Sequence, residues 1–310
     1  GAASSAGHSH GHVRVYDWSS DTSSWVQVGS DIDGEASQDE SGTSVSMSAD
    51  GSRVAIGAPK HYLANARVGQ VRVYAWSPGA GAWTQLGGDI DGEDHGDKSG
   101  TSVSMSADGS LVAIGAPGNV GAGMSGVGHV RVYEWSPGMS SWSQRGSDID
   151  GETFGDASGS TVSMSADGSM VAIGARYNGD AGGNAGHVRV YGWSADTSSW
   201  VQIGSDIDGE DGGDASGISV SMSANGHVAI SATGADGTGR NMGHVRVYEL
   251  IGSPLPPMMP SPPQVPSPSD SASSPSSTIL PAPAIVQIEA GGSVRVKAGG
   301  TLTVGSNGET

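Results

Sequence analysis

Four stretches of this chain carry carboxylates at a spacing that could hold a cation. Asp31, Asp33, Glu35 and Asp39 form the first set, and Asp89, Asp91, Glu93 and Asp97 the second. Asp148, Asp150, Glu152 and Asp156 follow, then Asp206, Asp208, Glu210 and Asp214. Each set begins Asp-Ile-Asp-Gly-Glu, with oxygen donors at relative positions 1, 3, 5 and 9 around a glycine, the donor-rich spacing of a calcium loop. The bidentate acid such a loop carries at position 12 is missing, and Asp-Gly is an ordinary turn whose side chains cap backbone amides. A hydrogen-bonded structural turn is therefore the favoured reading of these residues, with calcium as the alternative cofactor.

These loops hold 19 of the 32 acidic residues, and the formal charge is -18. Such a surface repels nucleic acid phosphates and anionic membranes and favours cations or basic partners. The absence of cysteine excludes a disulfide framework, a thiolate nucleophile and a cysteine-ligated metal. No segment approaches the roughly 18 consecutive apolar residues of a membrane span. His8, His10 and His12 alternate, while His12, His129, His187 and His244 recur at one repeat position; a solvated run and a strand start explain them better than a metal site.

The elements that must position the loops are read from self-similarity. Gly-His-Val-Arg-Val-Tyr begins at Gly11, Gly128, Gly186 and Gly243, with a Gln variant at Gly69, giving intervals of 58, 59, 58 and 57 residues. Within one period, Ser44 to Ser48 alternates with period two, Ala49-Asp-Gly51 turns, and Arg53 to Gly57 returns, which predicts a hairpin. Val71 to Trp76 and Trp83 to Gly87 predict a second. Four antiparallel strands per period of about 58 residues predict an all-β fold, a β-propeller of four-stranded blades, with a core of valine, alanine, methionine and tryptophan. The eight Trp occupy two repeat positions flanking the second turn and are expected to staple it, with a sugar-binding platform as the alternative. Arg72 and Tyr74, like their repeat counterparts, share a strand face and are expected to stack and pair with the acidic loops.

Ser41-Gly-Thr-Ser-Val-Ser-Met-Ser48 followed by Val54-Ala-Ile-Gly-Ala-Pro59 resembles the FG-GAP repeat of integrin α-subunit propellers, and the likeness extends over all four repeats. Ser-Gly replaces the family's Phe-Gly at Ser41, Ser99, Ser158 and Ser216. Its calcium loop between strands one and two is shortened here to a tight turn, so calcium is not carried over at that hairpin. The resemblance implies that the two-to-three and four-to-one connections share the face that engages partners. That face would display the variable loops Lys60 to Val68, Gly118 to Val127, Tyr177 to Ala185 and Gly234 to Met242.

The composition divides the chain into residues 1–252 as the propeller, 253–283 as a Pro/Ser-rich polyproline II spacer and 284–310 as a short β-strand assembly segment. The spacer resembles the hydroxyproline-rich segments of algal and plant surface glycoproteins. That resemblance makes Pro254, Pro256, Pro257, Pro260, Pro262, Pro263, Pro266, Pro268 and Pro275 candidates for hydroxylation and O-glycosylation, against a plain linker. The first period begins after its second strand, so either upstream strands or the Ser219 and Val228 strands would complete its blade.

A catalytic propeller breaks its repeat symmetry where nucleophile and base converge, and the sequence shows no such break. The expectation is a non-enzymatic, extracellular structural or adhesive protein of the cell surface, a component of a mastigoneme-like filament or wall assembly. Its expected partners are other protein subunits of a homo- or hetero-polymer and glycans, with no nucleic acid and no membrane span. The alternative is a calcium-dependent protein- or glycan-binding module, and after it a propeller hydrolase, which requires a loop pocket with a perturbed acid.

Overall fold

In Ser102–Met105 the alternation of hydroxyl and apolar side chains buries Val103 and Met105 and leaves the serines half-exposed. The chain turns at Asp108-Gly109, where Asp108 Oδ1 accepts hydrogen bonds from the Ser110 N–H and the Ser106 hydroxyl, and Gly109 has φ +70°. Leu111–Ala116 returns with all six residues buried, as expected of a strand covered on both faces. His129–Ser136 pairs with it along its whole length, and Ser141–Gln144 completes an antiparallel meander. The strand order is sequential, and the same four-stranded sheet forms at 44–85 and at 161–202. These sheets are the blades of an all-β propeller.

This computed structural model describes residues 10–120, 126–236, 242–249, 285–289 and 293–297. It divides into two compact units at Pro256/Pro257. In the first unit, residues 12–33 supply two small hairpin sheets, and Ser216–Met222, Val228–Ala232 and His244–Tyr248 form a three-stranded sheet of their own. Among the described residues that sheet does not join the strands of 12–33, so the pairing suggested for Ser219 and Val228 is not formed there. In the second unit, Ile285–Glu289 pairs antiparallel with Ser293–Lys297, both within the expected β-strand segment 284–310. The spacer prolines, His8 and residues 298–310 of the expected strand segment lie outside the described residues. No described helix is long and apolar enough to cross a membrane.

Consecutive blades are joined at both edges by the same bonds. At the inner edge, the N–H of Met105, Met164 and Met222 donates to the hydroxyl of Ser46, Ser104 and Ser163, at 3.0, 2.9 and 2.8 Å. At the outer edge, the indole N–H of Trp83, Trp142 and Trp200 reaches back to the carbonyls of Val28, Leu86 and Arg145. Each indole also packs on its cross-strand partner, with centroids 5.3–5.5 Å apart over the four pairs. The Trp positions therefore staple the outer hairpin, as expected, and also tie it to the preceding blade. Arg72, Arg131 and Arg189 lie over Tyr74, Tyr133 and Tyr191 at 5.5–5.6 Å and donate to the carbonyls of Asp33, Asp91 and Asp150 across the same seam.

Candidate functional site

The acidic segments are not loops from end to end. Ile90–Asp91, Ile149–Asp150 and Ile207–Asp208 re-pair with the third strand of their own blade, the isoleucine inward. A parallel bridge then joins each segment to the glycine that opens that strand, at Gly11/Ser41, Gly69/Ser99, Gly128/Ser158 and Gly186/Ser216. The acidic segments and the variable loops thus emerge together on one face.

Each of the four carboxylates in a set has its own task. The ninth-position aspartates, Asp39, Asp97, Asp156 and Asp214, are buried and cap the turn from within. Asp97 accepts the N–H of Glu93 and Asp94, Asp214 those of Glu210 and Asp211, Asp39 that of Ala36, and Asp156 that of Thr153. Two of them also tether the variable loop, through His61 Nδ1 to Asp39 at 3.0 Å and Asn178 Nδ2 to Asp156 at 3.2 Å. The first-position acids pair with a glutamine four residues earlier: Asp31 with Gln27, Asp89 with Gln85, Asp148 with Gln144 and Asp206 with Gln202. Asp31 also receives a bidentate bond from Arg14, which holds its carboxyl down to about 2. The third-position acids stand opposite the strand-opening residue in the ladder, Asp33 to His12, Asp91 to Gln70, Asp150 to His129 and Asp208 to His187. The fifth-position acids Glu35, Glu93, Glu152 and Glu210 pair with Arg72, Arg131, Arg189 and Arg246. The acids of a set are thus dispersed, and the cap on backbone amides accounts for the buried ninth position.

What the structure does gather comes from three different segments. Among the described residues, ligating groups of three within 4.8 Å occur as Glu93–His129–Asp148 and Glu152–His187–Asp206. Both histidines are 1% exposed, and burial, then the neighbouring Arg131 or Arg189, pushes their pKa down. The first complete blade has Gln70 at this position, donating to Glu35 Oε2 at 3.4 Å. Sequence reasoning assigned these histidines only to a strand start; the usable signal was the Gln-for-His exchange after Gly69.

The buried histidines imply a pH dependence. A folded-state pKa below the ordinary 6.5 means that the unfolded chain takes up protons first, so stability is present above about 6.5 and is lost as pH falls below it. His129→Gln/His187→Gln, copying Gln70, should flatten the change in melting temperature between pH 7.5 and 5.5 in metal-free buffer. An unchanged slope would assign the dependence to other groups.

Beside the seam between the first two complete blades lies an open cleft of about 310 Å³ lined by Gly88, Asp89, Ile90, Asp91, Tyr133, Ser141 and Trp142. Burial, reinforced by Asp89, pushes the Asp91 carboxyl up, and Asp91 Oδ1 is buried without a hydrogen-bond partner. Burial likewise raises Tyr133.

No family model matches the chain, and no curated protein does. Solved structures with a related fold include a hydrazine synthase of Kuenenia stuttgartiensis at 13% identity, covering 61% of this chain and 41% of that one, TM-score 0.37. Another is the periplasmic gluconolactonase PpgL of Pseudomonas aeruginosa, at 15% identity over 82% of this chain and 67% of that one, TM-score 0.46. A third is described as a putative 6-phosphogluconolactonase of Bacteroides uniformis, at 12% identity over 74% of each chain, TM-score 0.39. The chain spans less than half of the hydrazine synthase chain. The expectation of a structural or adhesive surface component is corrected, because its premise of unbroken repeats fails: the repeats differ at Gln70 against His129 and His187 and at the Asp91 cleft. These likenesses bear on fold alone: the chain is an all-β propeller.

Proposed function

We propose that the protein is a binding module that takes a positively charged segment of a partner protein on its loop face. The observation that carries this reading is the set of apolar side chains exposed among the acids there. Phe154, the single Phe, is 66% exposed in an acidic segment, and Tyr62, Leu63 and Tyr177 are each 46% exposed on variable loops. Arg67 lies over Tyr62 at 5.0 Å and Arg176 over Tyr177 at 4.6 Å, which orients both rings. Aromatic anchors within a charged rim are the usual anatomy of a recognition surface, and the rigid blades beneath lower the ordering cost of binding. Calcium is not required by this reading.

The test is fluorescence anisotropy with a labelled peptide rich in Arg and Leu. Tyr62→Ala/Phe154→Ala/Tyr177→Ala should weaken binding at least about tenfold, the scale of anchor truncation. Asp21→Asn/Asp196→Asn, at exposed turns of the opposite edge, should leave it unchanged. Equal losses in both variants, or none in the first, would remove the loop face from the account.

The Asp91 cleft supports a second reading, a propeller hydrolase. A carboxyl with a raised pKa beside a cleft is a general acid or base candidate. Hydrolysis of lactone or ester substrates that is abolished by Asp91→Asn would establish it.

A further inference from the structure

We infer that Glu93–His129–Asp148 and Glu152–His187–Asp206 are two equivalent binding sites for a divalent transition-metal ion of the zinc class, each built between consecutive blades. The inference goes beyond the binding module proposed above and does not depend on it. One imidazole and two carboxylates form a mixed nitrogen and oxygen donor set suited to zinc or manganese, whereas calcium takes six to eight oxygens.

The second site shows the strongest geometry. His187 Nδ1 is buried without a hydrogen-bond partner and faces Glu152 Oε2 and Asp206 Oδ2, each at 3.8 Å. That separation is too long for a hydrogen bond, and a buried polar nitrogen left unpaired costs about 1–3 kcal/mol. Donors bound to one zinc at about 2.0–2.2 Å stand roughly 3.4 Å apart in a tetrahedron, so small side-chain movements would close the set. His129 Nδ1 stands 3.7 Å from Asp148 Oδ2 in the first site, and its Nε2 is also buried without a partner.

The neighbours hold the carboxylates in place. Gln144 and Gln202 donate to Oδ1 of Asp148 and Asp206, both at 2.6 Å, leaving Oδ2 to face the imidazole. Arg131 and Arg189 take Oε1 of Glu93 and Glu152 at 3.4 and 3.5 Å, and Oε2 of Glu152 turns to His187. Such outer partners orient metal ligands. The first complete blade supplies an internal control. Gln85 and Arg72 orient Asp89 and Glu35 in the same manner, but Gln70 donates its own N–H to Glu35, so that position satisfies itself without an ion.

The test is calorimetric titration of the full chain with Zn²⁺ after chelator treatment and dialysis. His129→Gln and His187→Gln should each remove one equivalent of bound zinc, and the double variant two. Gln70→His should add one equivalent, a gain that misfolding cannot imitate. Melting curves in metal-free buffer check that each variant is folded. Ca²⁺ in place of Zn²⁺ should show no loss on His→Gln substitution. Zinc stoichiometry that is the same in the wild type and the folded double variant overturns the assignment, as does a Gln70→His chain that gains none.

Discussion

Gly115→Ala is expected to destabilise the protein by about 3 kcal/mol, the upper end for forcing atoms into a packed interior. Gly115 lies in the fully buried second strand, and a Cβ there would fall on the carbonyl oxygen of Gly159 in the next blade and on Ser102 Oγ, and 2.9 Å from Gly159 C. The obstacle is backbone, which no rotamer change can move. The blades would have to separate, and the bond from Ser102 Oγ to the Gly159 carbonyl, 2.8 Å, would lengthen with them. Gly57 and Gly174 meet Gly100 and Gly217 in the same manner, so the contact is a property of the seam. Gly138→Ala is the control: nothing lies within 4 Å of its added Cβ, and its effect should stay within about 0.5 kcal/mol. Urea unfolding midpoints measure both. Equal midpoints for the two variants would mean that the blades do not approach as closely as described.

The second large effect is expected at Asp97. Its side chain is buried, and its Oδ2 alone accepts from Glu93 N at 3.1 Å and Asp94 N at 2.9 Å. Asp97→Ala leaves both donors without an acceptor, for a loss of about 3 kcal/mol, since hydrogen bonds to a charged group contribute roughly 1.5–3 kcal/mol each. Asp97→Asn keeps an acceptor oxygen and should cost about 1 kcal/mol. The amides of Glu93 and Asp94 should exchange with solvent faster in the alanine variant, because the cap and not the strand holds them. Asp94→Ala, at an exposed position of the same segment, gives the baseline for melting temperature. A loss at Asp97 no greater than that baseline would return the segment to an uncapped loop.

The blade strands were legible because their periodicity is local. Ser-Val-Ser-Met, the Asp-Gly turn and the paired tryptophans each specify their structure within a few residues, and the register places Trp76 opposite Trp83 and Trp135 opposite Trp142. The seam was less legible. Ser46 reaches Met105 and Trp142 reaches Leu86 across a whole period, and nothing in either neighbourhood announces the partner.

The site was the hardest part to read. The 1, 3, 5, 9 spacing left calcium as the alternative to a hydrogen-bonded turn, but Asp89 pairs with Gln85, Glu93 with Arg131, and Asp97 folds back beneath the turn to cap its amides. The groups that do converge, Glu93, His129 and Asp148, come from two acidic segments and the strand between them. The stacking of blades brings them together, and only the Gln that replaces His at position 70 marked the position as one that varies between blades.

The loop face as the working surface is tested most directly by hydrogen–deuterium exchange of the full chain with and without the Arg- and Leu-rich peptide. The account predicts slower exchange on binding at residues 60–68, 93–98, 153–157 and 177–185, with the opposite-edge turns at 49–52, 78–81 and 107–110 unchanged. Protection confined to those opposite-edge turns, or no protection on the loop face at saturating peptide, would contradict it.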